Sequence, residues 1–292
     1  MSTPTTPPPF ESAARPPAPA RPSAPQPGGR TVAIVVSVIG GVALLGAALG
    51  AGVSAARGAA AGDELLTADA HGVQALSVDA SASSFSVAYA DVDEAVLEVT
   101  AGAGGGWSLS RRGGELIVDR RGGLFGGWTF GDWFGGGEDT AVLTLPEGLR
   151  DASLDADLSL GGGSLTAEGT FGEVQADVGA GYLSLEGAAR FLDLDLSAGQ
   201  AEVTLAGVER ADFSIAAGRV DALLREDAPA EVSVDVSAGS LDLALPDAEY
   251  AVTSDVAAGD LDNRLDVSSA SPHRIQVDLA AGDATLRPST GL

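Results

Sequence analysis

Along the C-terminal half of the chain, apolar and polar residues alternate with a period of two, and the alternation restarts about every twenty residues. Each restart is marked by Ala-Gly, at 180–181, 198–199, 217–218, 238–239, 258–259 and 281–282, with Gly162-Gly163 as a looser first copy. The last glycines of successive copies lie 18, 18, 19, 21, 20 and 23 residues apart. Three residues before them stand Leu160, Val178, Leu196, Ile215, Val236, Val256 and Leu279, all apolar. Five before stand Leu158, Ala176, Leu194, Phe213, Val234, Ser254 and Val277, and seven before, Ala156, Val174, Leu192, Ala211, Val232, Val252 and Ile275. The position four before is Ser159, Asp177, Asp195, Ser214, Asp235, Asp255 or Asp278. One face is dry and the other wet, the signature of a strand.

Beyond the glycine the alternation resumes, with Leu165, Leu183, Ala201, Val220, Leu241, Leu261 and Ala284 two residues on. Each copy therefore predicts two short strands joined at a small-residue corner, where backbones approach closely. A further copy is expected upstream at Leu76–Val87, with Ser83 in the glycine's place and Asp79 four before it. A period near twenty predicts stacked coils, since one coil alone cannot bury its apolar face. The same alternation fits an antiparallel sandwich. Asn-Gly and Asp-Gly hairpin signals are missing, and a whole coil recurs, which favours a parallel β-helix, or β-solenoid, over 71–292. Stacking in chain order would place Asp177 beside Asp195, and Asp235 beside Asp255, about 4.8 Å apart.

The N-terminal part reads differently. Residues 1–30 hold ten of the fifteen prolines and are expected to form a disordered cytoplasmic tail. Thr31–Ala56 is 26 residues without a charge. As a helix it would reach about 39 Å, enough to cross a bilayer with tilt. A cleaved signal peptide is the competing reading, but its apolar core should be shorter. Arg15, Arg21 and Arg30 before the span put the N-terminus in the cytoplasm and the repeats outside, on a single-pass transmembrane helix. Residues 57–70 read as a linker. Gly46 and Gly50 form a GxxxG pair, one route to a homo-oligomer.

Composition narrows the function. There is no cysteine, so disulfides do not staple the exported part. All sixteen basic residues are arginine, against 41 acidic ones, for a net charge of −25. That argues against nucleic acid and for cations or basic partners. The Asp columns read either as a solvated acidic face or as oxygen ligands for Ca²⁺. His71 and His273 are far apart in sequence and lack metal-ligand spacing, and both are expected at the surface. There is no GxSxG elbow, no Walker lysine and no cofactor motif, so a non-enzymatic role is expected.

Residues 101–140 break the repeat. All three tryptophans and three of the eight phenylalanines fall between Trp107 and Phe134. Two readings stand. The segment is a cap over the open end of the coils, its aromatics in the core. Alternatively, Trp128, Phe130, Trp133 and Phe134 form an exposed contact site beside Arg120 and Arg121.

Three stretches carry a family resemblance: Gly72–Asp79 entering the first coil, Val142–Leu149 with its strand-to-Pro146 turn, and the recurring Val/Leu-x-Ala-Gly-x-Leu phrase. Over roughly 70–290 the chain resembles the bacterial putative-adhesin family, a β-strand-repeat domain of unknown function. The resemblance implies a membrane-tethered β-solenoid at the cell envelope, without established catalytic residues, and the family name implies adhesion; the aromatic loop and acidic face leave an envelope protein, a glycan or a cationic peptide as the expected partner. Some relatives are linked to envelope-stress sensing, and the alternative is a sensory protein that binds cationic peptides or Ca²⁺ through its acidic face. The aromatic insertion departs from the family's short connection.

Overall fold

The computed structural model describes residues 63–100, 106–120 and 139–289. The tail at 1–30 and the hydrophobic span Thr31–Ala56 lie outside these. No described helix is long and apolar enough to cross a membrane.

The described chain is all-β. β1 (Asp63–Asp69), β2 (Ala75–Ala90), β3 (Glu94–Thr100), β4 (Trp107–Arg112), β5 (Glu115–Arg120) and β6 (Asp139–Pro146) lead into a single 3-10 turn at Glu147–Leu149. β7 (Leu154–Ala206) runs unbroken through three repeats, and β8 (Arg210–Arg225) through a fourth. Then come β9 (Glu231–Val236), β10 (Ser240–Leu245), β11 (Glu249–Val256), β12 (Gly259–Asn263), β13 (Asp266–Val267), β14 (Arg274–Leu279) and β15 (Gly282–Pro288). The expected linker 57–70 thus contains a strand, because Leu66 and Ala68 of β1 pack against the core.

The central strands pair in parallel, one repeat against the next. Ala198, Gly199 and Gln200 of β7 face Ala217, Gly218 and Arg219 of β8, and β8 continues onto β9 and β10 in the same register. The inward columns are closed to solvent: Leu158, Leu194, Phe213, Val234 and Val277 are all buried, as are Leu165, Ala201, Val220 and Leu241. Each fully buried Leu or Phe side chain contributes about 1.5–3 kcal/mol by leaving water. The stacked columns are therefore the main source of stability in a chain without disulfides.

The glycine column is a backbone contact. A Cβ on Gly163 would stand 2.1 Å from the Ser83 carbonyl oxygen, one on Gly199 2.2 Å from that of Gly181, and one on Gly218 2.8 Å from that of Gly199. Ser83 does occupy the glycine position of the first described copy, facing Gly163. Its side chain points into the core, where its hydroxyl has no hydrogen-bond partner among the described residues.

The stacking order departs from the chain order at both ends. β14 lies between β9 and β11, and β15 between β10 and β12. The last repeat, 274–288, is therefore inserted beneath the one that precedes it in sequence. Asp235 neighbours Asp278, and Asp278 neighbours Asp255, so the expected contact of Asp235 with Asp255 does not exist. At the other end, β5 and β6 together form a coil outside β2, with Asp119 facing Asp79 and Asp139 facing Ser83.

That outer coil is covered by antiparallel strands, which an all-parallel solenoid did not anticipate. β3 pairs with β6, β1 with β3, and β4 with β5. Within the segment 101–140, expected to be irregular apart from a strand at Glu115–Asp119, residues 107–120 form a regular hairpin across Gly113-Gly114, with Gly113 at φ +67°. Trp107 is buried and stacks on Phe85 at 5.8 Å between ring centroids. For this tryptophan the cap reading is the correct one.

Candidate functional site

The extended feature of the surface is the wet face of the strands before the glycine corner. Moving along the stack, the column four before the corner presents Asp79, Ser159, Asp177, Asp195, Ser214, Asp235, Asp278 and Asp255. Strand alternation fixes them outward, because their neighbours on either side fill the core. A second column carries Asp157, Asp193 and Asp212 two residues earlier. Asp79, Asp177, Asp195, Asp235 and Asp255 are exposed, and Asp278, held between two of them, is half-buried.

Within this wall a shallow depression of about 270 Å³ is lined by Glu173, Phe191, Leu192, Asp193, Arg210 and Asp212. Partial burial raises the pKa of Asp193, and the charges of Asp195, Asp212, Asp177 and Glu173 raise it further. Burial also raises that of Asp221, in the part of β8 that follows the Gly218 corner, with Arg219 opposing and Asp242 and Glu202 adding to the rise. A carboxylate with a raised folded pKa binds its proton more tightly in the folded chain. Between 3.8 and that raised value, acidification stabilises the fold, and rising pH removes the gain. Asp193→Asn is therefore expected to raise the urea midpoint at neutral pH. The difference should vanish below pH 3.8, where both side chains are neutral. An Asn variant that is less stable at neutral pH would mean that the Asp193 charge is favourably paired.

Four arginines are tied into the stack. Arg150 pairs with Glu168, Arg190 with Glu209, Arg210 with Glu231 and Arg287 with Asp242, each bridging neighbouring coils. Along the column four before the corner, among the described residues, Asp79 accepts a hydrogen bond from the Ser81 hydroxyl and Asp278 one from the Gln276 amide, and none of these carboxylates pairs with an arginine. Among the described residues no group of three or more His, Asp or Glu side chains is arranged to hold a metal ion. His71 is exposed, as expected. His273 is instead half-buried, its Nδ1–H donating to the Pro229 carbonyl at 2.9 Å and its ring tilted against Tyr250.

Of the expected contact residues, Arg120 is described. It ends β5, and its guanidinium donates to the Ser81 carbonyl of the adjacent coil. Arg121, Trp128, Phe130, Trp133 and Phe134 lie outside the described residues. Four residue steps separate Asp79 from Ser83, whereas twenty separate their ladder partners Asp119 and Asp139. Asp119 and Asp139 thus stand on either side of the glycine corner of one coil. Sequence reasoning missed this because the two halves of that coil looked like unrelated strands.

No protein-family model and no curated protein matches this chain. Among solved structures it is similar to a putative cell adhesion protein from Clostridium sporogenes, at 8% identity and a TM-score of 0.29, covering 78% of this chain and 99% of the other. It is also similar to a putative adhesin from Bacteroides fragilis, at 9% identity and a TM-score of 0.33, covering 78% and 98%. Likeness of this degree assigns neither family nor function.

Proposed function

We propose that the protein is a membrane-anchored, extracytoplasmic binding or scaffold module without catalytic activity, whose acidic wall receives basic partners. The ladder of carboxylates on stacked, rigid strands carries this reading. It presents a charge array of fixed spacing, while Arg190, Arg210 and Arg287 are held in pairs between coils. The uncharged span Thr31–Ala56, with arginines on its N-terminal side, supports display outside the membrane. Sensing of cationic peptides at the envelope is a second reading, favoured by the same ladder. The test is a salt titration of full-length protein in nanodiscs against an oligoarginine peptide, with an oligoserine peptide as control. Affinity is expected to fall steeply with salt, because exposed charges are screened beyond about 8–10 Å. Envelope-protein or glycan capture that is salt-insensitive and lost in Trp128→Ala with Trp133→Ala would overturn the wall in favour of the aromatic segment. Absence of oligoarginine binding at low salt would also overturn it.

A further inference from the structure

The two ends of the stack are unlike. At the N-terminal end the antiparallel strands close the stack, and Leu97 and Val99 of β3 and Leu143 of β6 are fully buried. At the other end the coil built from β11 and β12 is paired on one side only. β11 is bonded to β14 along Ala251–Val256 and meets β13 only at Glu249 and Tyr250, while β12 is bonded to β15 alone. Among the described residues, nothing pairs with the outer edge of 251–263. The inward columns open there too. Val256 is 40% exposed, whereas Val236 and Leu279 in the same column are buried.

Resting on the binding-module reading above, we infer that this open edge is a strand-addition site for an extended basic segment of a partner protein. Unpaired N–H and C=O groups on an edge strand are a template for another strand. The chemistry of the occupant follows from charge. An incoming strand continues the columns, so its side chains come to lie beside Asp255 on one sheet and Asp260 on the other. Asp255 already follows Asp235 and Asp278 in its column, and Asp260 follows Asp283. A further acid there would lengthen an unrelieved row of like charges, whereas arginine or lysine would neutralise it. The stack uses this solution elsewhere: Arg190–Glu209 and Arg210–Glu231 join neighbouring coils in the same way. The alternate residues of the segment should be apolar, to cover Val252 and Val256. A second copy of this chain is a poorer fit, because it would bring the same acidic edge against itself.

The probe is a synthetic peptide of alternating valine and lysine, added to the full-length protein in nanodiscs. Hydrogen exchange should slow at 251–263 and remain unchanged at 174–178. N-methylation of alternate peptide residues, which removes the strand's hydrogen-bond donors, should weaken binding about tenfold. Asp255→Lys with Asp260→Lys should weaken binding of the lysine peptide about tenfold and confer binding of a valine–glutamate peptide. Tight binding that leaves exchange at 251–263 unchanged would overturn the edge site while leaving the acidic wall intact. Equal binding of the N-methylated peptide would overturn strand addition. Protection of 251–263 that grows with protein concentration in the absence of peptide would assign the edge to a second copy. Loss of all peptide binding, including the salt-dependent component, would sink both the edge and the wall.

Discussion

Gly199→Ala is expected to destabilise the stack by about 4 kcal/mol, while Gly207→Ala costs about 1 kcal/mol. Both glycines have positive φ, +126° and +68° respectively, so both substitutions carry backbone strain. They differ in what the new methyl group meets. At Gly207 there is nothing within 4 Å, whereas at Gly199 the Cβ would stand 2.2 Å from the Gly181 carbonyl oxygen and 2.8 Å from its nitrogen. Both of those atoms are backbone, in a ladder that cannot yield without separating two coils. Because each coil touches only its neighbours, parting them at 199 divides the stack rather than denting it locally. Urea denaturation of the two variants in parallel measures the difference. Equal midpoint shifts would show that the glycine column is a matter of φ alone and that the close approach is not limiting.

The column of glycines, with its flanking alternation, was the part of the fold written plainly in the sequence. Three apolar columns, the outward Asp column and the Ser83 copy all stand where the spacing put them, since a period of two fixes which face each residue takes. The order of the coils was not legible. Any coil presents the same inward columns to any other, so Val232, Val252 and Ile275 could be stacked in either sequence without burying less. Two signals were available. The final spacing, 23 residues, is the longest, and a chain that returns to a lower level needs extra length. Ser254 is the one polar residue in its column, and a coil at the end of the stack is where a polar residue costs least. The hairpin over Gly113-Gly114 lacks the Asn-Gly and Asp-Gly signals, but Gly-Gly supplies the same positive φ, at Gly113. The antiparallel cover escaped notice because β1 and β3 are short strands with no copy elsewhere. For the candidate site, the acidic ladder was legible, but its neighbours were not. Glu115–Asp119 and Asp139–Pro146 are two halves of one coil through their shared neighbour β2, a relation that their separation in sequence conceals.

Ending the chain after Val267 is expected to remove two coils rather than one. In a stack that follows chain order, the last repeat is the outermost, and its loss would leave 249–263 paired as before. Here β14 and β15 are the ladder partners of β11 and β12, apart from the two-residue contact with β13. Their loss leaves β11 and β12 almost without cross-strand hydrogen bonds. It also removes the His273 ring from Tyr250, leaving the Tyr250 hydroxyl bonded to the Pro246 carbonyl at 2.8 Å as the main local tie. An isolated pair of short strands is at best marginal in water. Amide exchange in 249–263 of the truncated chain should therefore rise to that of unstructured peptide, while 190–225 keeps its protection. The competing outcome is instructive, because Val252 and Val256 could slide down one level and stack on Val232 and Val236 as the repeat pattern allows. Retained protection of 249–263 would show that the coils are interchangeable. The observed order would then be set by the return loop at 264–273, and not by any preference of one coil for its neighbour.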